Sequence, residues 1–142
     1  MIDTYELIAP CHFGLESVLK REIYDLGYDI SKVEDGKVTF IGDADAIARA
    51  NIFLRSAERV LLKIGEFKAT TFTELFDNVN MLEWEHYIPE KGRFWVTKAN
   101  SINSKLFSSS DIQSIVKKAI VERLKQKYSV SWFKEDGDIY PI

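Results

Sequence analysis

Two short extended runs meeting at Asp35-Gly36, each with an amphipathic helix pattern beyond it, constrain this chain more than any other feature. An Asp-Gly pair between strand-like runs is a tight-turn signal, so 29–34 and 37–41 are predicted to form a hairpin. Before it, Leu15, Val18, Leu19, Ile23 and Leu26 recur at spacings of three and four, and Gly27 supplies a stop. After it, Asp43 or Asp45 can cap a second helix whose apolar face is Ala46, Ile47, Ala50, Phe53, Leu54 and Ala57. A strand over 4–9, stopped by Pro10, and a β-rich stretch over 59–67 complete the set.

The order strand–helix–strand–strand–helix–strand is that of a ferredoxin-like unit, closed within about 68 residues. Folds of this kind host many functions, so this half alone decides none. A second unit is expected from about Thr70, with a helix over 72–81 and a turn or helix over 84–88 ended by Pro89. A bulky strand follows over 93–99, then a polar loop over 100–110 and the clearest helix of the chain over 111–127. A strand over 129–133, a turn at Glu135-Asp136-Gly137-Asp138 and a last run over 139–142 end the sequence. That run stops without a cap or closing turn, which points to a fragment. The expected class is α+β, with 1–68 a ferredoxin-like domain and 69–142 a second α/β domain incomplete at its C-terminal end.

Few catalytic chemistries find their residues here. The seven glycines never form G-x-G-x-x-G or G-x-x-x-x-G-K-[ST], the loops that bring backbone against a phosphate. Pro10, Pro89 and Pro141 are isolated, so no Asn-Pro-Pro-Tyr-like clamp for an exocyclic amine exists. Cys11 is the lone cysteine and is expected to be structural; with it, His12 and His86 leave no set of zinc ligands and no disulfide framework. Asp136 and Asp138 flank a turn glycine, where Asp serves the turn. No apolar run reaches the ~18 residues of a membrane helix, and Met1 is not followed by a signal-peptide pattern. A cytoplasmic protein without a membrane partner is expected.

Charge is unevenly placed. The net charge is −3, yet residues 91–127 hold nine bases against Asp111 and Glu122, net +7, directly after a stretch, 69–90, with five acids and no base. A local field of that size can guide a polyanion whatever the total, although a solvated lysine face gives the same pattern. At 100° steps, Ile112, Ile115, Val116, Ala119 and Ile120 share one side of the 111–127 helix, with Leu124 at its margin. Lys118 and Lys125 lie opposite with Ser114, and Lys117 on a flank. Arg123 falls inside the apolar stripe, where it snorkels or pairs with a neighbouring segment. Ser110 with Gln113, or Ser108 with Asp111, has capping-box spacing. The free amides of a helix start favour an anion, and Ser104, Lys105 and Ser108–Ser110 approach that end. An ordinary N-cap accounts for the serines equally; Lys98 and Lys105 are what capping does not require.

Gly14-Leu15-Glu16 running into Leu19-Lys20-Arg21-Glu22 and Leu26-Gly27, with Gly36-Lys37-Val38-Thr39-Phe40 and Arg55-Ser56-Ala57-Glu58-Arg59-Val60, resembles the first domain of THUMP-containing RNA methyltransferases. Ser109-Asp111-Gln113 and the run from Val116 to Leu124 are similar to the main THUMP helix. The nearest group in this resemblance is the large-subunit ribosomal RNA guanine-N2 methyltransferases, also labelled adenine-specific DNA methylases. The resemblance implies a truncated THUMP domain that binds structured RNA, ribosomal ahead of transfer RNA. It also implies a partner methyltransferase domain, C-terminal to this chain, that uses S-adenosylmethionine. By matching position it implies RNA contacts at Lys98, Ser104, Lys105, Ser109, Gln113, Lys117 and Lys118, with Arg55 and Arg59 as weaker candidates. No catalytic, cofactor or metal residue is expected in the chain itself. The rival is a protein-interaction module docking through Phe72, Phe76, Trp84 and Trp95.

Overall fold

The computed structural model describes residues 4–90, 92–101, 104–129 and 139–142. The chain divides into two compact units, Met1–Ile64 and Gly65–Ile142. Among the described residues no helix is long and apolar enough to cross a membrane.

The first unit runs β1 (Tyr5–Pro10), α1 (Glu16–Asp25), β2 (Asp29–Glu34), β3 (Lys37–Gly42), α2 (Ala44–Phe53) and β4 (Leu61–Leu62). Its sheet has the order β2-β3-β1-β4 with every pair antiparallel, the arrangement of a ferredoxin-like βαββαβ unit. Leu7 faces Phe40 and Ala9 faces Val38 across β1 and β3. Alternate strand residues share a face, so these four, all fully buried, make one apolar surface. Leu19 and Ile23 of α1 and Ala46 and Ala50 of α2 pack into the same core. The Asp43 carboxylate caps α2 by accepting from the Ala46 amide at 3.0 Å. At the hairpin, Gly36 adopts φ +82°, the left-handed region that a side chain disfavours. The Glu16 carboxylate accepts from the Gly36 amide at 3.0 Å and the Gly14 amide at 2.9 Å, tying the turn to the start of α1.

Two expectations in this half are corrected. Val18 and Phe53, assigned to apolar helix faces, are exposed; periodicity marks a stripe wider than the one the sheet covers. The β-rich stretch over 59–67 yields only the two residues of β4, which pair with Leu7 and Ile8. Cys11 is buried, and desolvation followed by the charges of Glu16 and Glu58 pushes its thiol up, so it packs as a small apolar group.

The second unit runs α3 (Phe72–Met81), a 3-10 turn (Trp84–His86), β5 (Arg93–Trp95), α4 (Ser109–Lys127) and β6 (Ile139–Pro141). Its core gathers Leu75, Val79, Trp84, Ile88, Phe94, Leu106, Ala119, Ile120 and Leu124. Thr71 caps α3 by accepting from the Glu74 amide, and Glu74 returns the bond to the Thr70 amide at 3.0 Å. Asn80 near the end of α3 donates to the Ala119 carbonyl of α4 at 3.1 Å. Strands β5 and β6 pair in parallel, with Phe94 opposite Tyr140. The pairing continues past them, from the Ile142 amide to the Trp95 carbonyl at 2.8 Å and from the Thr97 amide to the Ile142 carbonyl at 2.9 Å.

The strand expected over 93–99 is only three residues long. Beyond Trp95 the Val96 carbonyl accepts from Gln113 Nε2 on α4 instead of from a strand. Ser129, expected to open a strand, stands in a turn with φ 55°. The rest of that strand, 130–133, and the turn at 135–138 lie outside the described residues.

Candidate nucleic-acid interface

Helix α4 starts at Ser109, two residues before the sequence pattern places it. Of the two capping alternatives the structure takes Ser108, whose hydroxyl accepts from the Asp111 amide at 3.4 Å. Helix geometry leaves the next amides without intrahelical partners, and Ser109 and Ser110 are exposed there. Residues four apart on a helix form rows. Ser109, Gln113 and Lys117 make one row, and Ser110, Ser114 and Lys118 the next. Asp111 is the one acid of the first turn.

The segment before the helix is tied to it by one bond and closed on itself by another. Gln113 Nε2 donates to the Val96 carbonyl at 3.1 Å, and the Ser101 hydroxyl donates to the Leu106 carbonyl. Lys98 lies between these ties and is exposed. Ser104 accepts from the Leu106 amide at 3.1 Å, which turns the loop while leaving Lys105 in solvent. Leu106 itself is buried. The fold therefore strings Lys98, Ser104, Lys105, Ser109 and Gln113 along one loop and the first turns of α4, and Lys117 and Lys118 continue along the helix.

The cations of this unit differ in what they face. Arg123 is spent on structure: its Nη2 and Nε donate to the two Glu85 oxygens at 2.7 and 3.0 Å, and Nη1 to the Asn80 carbonyl at 3.4 Å. The Arg123 hydrogen bonds, against the cost of burial, hold the Glu85 carboxyl down at about 2. Lys125 lies 3.8 Å from Glu122. Lys98, Lys105 and Lys118 make no ion pair among the described residues.

The aromatic residues named for a docking surface do not gather into one. Trp84 is buried and its indole N–H donates to the Val79 carbonyl at 2.7 Å; Phe72 and Trp95 are exposed. Phe107, which sequence patterning passed over as part of a polar loop, is 81% exposed directly before the Ser108 cap. An aromatic ahead of a helix cap carries no sequence signal that separates a packed ring from a free one. His12 and His86 are exposed and lie 3.3 Å from Glu58 and 3.2 Å from Glu83.

Comparison with known proteins places this geometry. Residues 6–61 match the RlmL ferredoxin-like domain family, and residues 69–138 match the THUMP domain family. The chain carries an RlmL-type ferredoxin-like domain followed by a THUMP domain. It is 46% identical to YpsC of Bacillus subtilis (strain 168), provisionally named an RNA methyltransferase, over 97% of the chain and 36% of YpsC. It is 30% identical to the ribosomal RNA large subunit methyltransferase K/L of Desulfotalea psychrophila, over 98% of the chain and 18% of that protein. Among solved structures, SMU.472, provisionally a methyltransferase and complexed with SAH, superposes with a TM-score of 0.94 at 41% identity. That match covers all of this chain and 38% of SMU.472. The chain thus spans about a third of YpsC and less of the K/L enzyme. The exposed lysines and the free start of α4 belong to its THUMP domain.

Proposed function

We propose that this chain is the RNA-holding part of a methyltransferase, gripping structured RNA through Lys98, Ser104, Lys105, Ser109, Gln113, Lys117 and Lys118. The observation that carries this is the contrast among cations. Arg123 is consumed by a bidentate ion pair, while Lys98, Lys105 and Lys118 stand exposed with no acidic partner among the described residues, on the helix and on the loop that leads to its anion-favouring start. Serine hydroxyls and lysines suit phosphate and ribose, which position RNA without reading its sequence. Gln113 acts by holding Val96, and with it Lys98, beside the helix. Arg55 and Arg59 of the first unit are weaker contacts; the Arg55 amide is held by Glu22 at 2.8 Å, which fixes its backbone.

In this proposal a methyltransferase domain of the longer protein uses S-adenosylmethionine, and its substrate is large-subunit ribosomal RNA methylated at guanine N2, in the cytoplasm. The name of the Desulfotalea psychrophila relative supports the large-subunit ribosomal RNA substrate, and the SAH held by SMU.472 supports the cofactor. Among the described residues the glycines with positive φ, Gly14, Gly27 and Gly36, stand at separate turns, and the proposal gives no step of methyl transfer to this chain. Its work is delivery, holding the backbone so that a base reaches chemistry elsewhere.

The test is an anisotropy titration of the chain with a structured RNA across salt concentrations. Affinity falls steeply with salt, and Lys98→Ala or Lys105→Ala each lower the log–log slope by about 1. A response that stays flat between low and moderate salt overturns the proposal.

A further inference from the structure

We infer that Phe107 is a stacking platform for an unpaired nucleobase, so that the interface takes RNA with single-stranded nucleotides rather than continuous duplex. This rests on the RNA-holding proposal above and adds to it the part of the RNA that is bound. Phe107 occupies the position directly before the helix cap, where an apolar side chain ordinarily folds down on the first turn, onto Ile112 here. It does not: Phe107 is 81% exposed.

The backbone on both sides of the ring is nonetheless fixed. Leu106 is buried, its amide donates to Ser104 and its carbonyl accepts from Ser101. Ser108 on the other side caps α4. The exposed–buried–exposed order of Lys105, Leu106 and Phe107 sends the lysine and the ring to the solvent side together. With the backbone fixed, only the side-chain torsions of Phe107 remain to be ordered on binding. Among the described residues within three positions of Phe107 in sequence, the exposed ones are Ser104, Lys105, Ser109 and Ser110, all polar. A flat apolar face set among cations and hydroxyls matches a base attached to its own phosphate: the base lies on the ring while Lys105 and the start of α4 take the flanking phosphates.

The experiment compares the 142-residue chain with Phe107→Ala, Phe107→Trp and Lys105→Ala, using a hairpin RNA with an unpaired loop and a fully paired RNA duplex as probes. A 2-aminopurine in the loop reports stacking. Phe107→Ala is expected to weaken hairpin binding roughly fivefold to a hundredfold, with the salt slope and the duplex affinity unchanged. Phe107→Trp restores binding, and 2-aminopurine fluorescence is quenched by the wild type and the Trp variant only. Because the side chain is in solvent, the melting temperature serves as a check that the fold is kept. Unchanged hairpin affinity in Phe107→Ala, alongside a lowered slope in Lys105→Ala, overturns the stacking role and leaves RNA holding intact. Absence of RNA binding by the wild type overturns both.

Discussion

At the scale of single residues, Arg123 and Glu85 show how a charge can be removed from function by its partner. The helical wheel puts Arg123 in the apolar stripe of α4, which leaves snorkelling or pairing open; the structure resolves it as a two-bond pair reaching the loop after α3. Glu85 titrates at about 2 in the folded chain, below its ordinary 4.5. A depressed carboxyl stabilises the fold fully above its unfolded pKa, and that contribution is lost as pH falls from about 4.5 towards 2. Glu85→Gln is expected to cost about 1.5–3 kcal/mol at neutral pH and to flatten the acid limb of melting temperature against pH. Thermal melts between pH 2 and 7 check both. What made Arg123 legible was its place in a periodic pattern. Phe107 had no such pattern, and only its exposure in the folded chain marks it out.

At the scale of elements, legibility followed local signals. The hairpin at Asp35-Gly36, the Asp43 cap and helix α3 carry their instructions in neighbouring residues, and each forms where those residues stand. Strand lengths do not. Strand β5 is only three residues long; past it Val96 gives its carbonyl to Gln113, 17 positions on, while Trp95 and Thr97 still bond Ile142. Strand β4 is short because it meets β1 over only two residues. The candidate site had a similar split: serines and lysines near a helix start were visible in the sequence, whereas the Gln113–Val96 bond that holds the Lys98 segment to that helix spans 17 positions. The closest helix–sheet approach gives an element-scale prediction. A Cβ on Gly42 would meet the Ala46 Cβ at 2.3 Å, and neither atom has a side-chain torsion with which to escape. Gly42→Ala should therefore push α2 from the sheet and destabilise the first unit by about 1–3 kcal/mol, read from chemical denaturation followed by far-ultraviolet circular dichroism.

At the scale of the whole molecule, net charge says the wrong thing about the chain and its distribution says more. A total of −3 conceals a THUMP unit whose acidic and basic stretches are adjacent in sequence, with one arginine neutralised in the core and several lysines left in solvent. The β5–β6 pairing gives a prediction at this scale. Deleting residues 139–142 removes none of the seven proposed contacts, yet it removes the bonds between Ile142 and the segment Trp95–Thr97. Amide hydrogen exchange over 96–113 should speed up in that variant, and RNA affinity should fall with it; protection equal to wild type would show that the pairing has no hold on the site.

The seven main contacts proposed for RNA all sit on the excursion of chain between β5 and β6. Joining those ends restricts the excursion before any ligand arrives. By thermodynamic reciprocity, an RNA that grips the excursion must in turn tighten the knot at its base, so occupancy of the distant helix start should be readable at the last four residues.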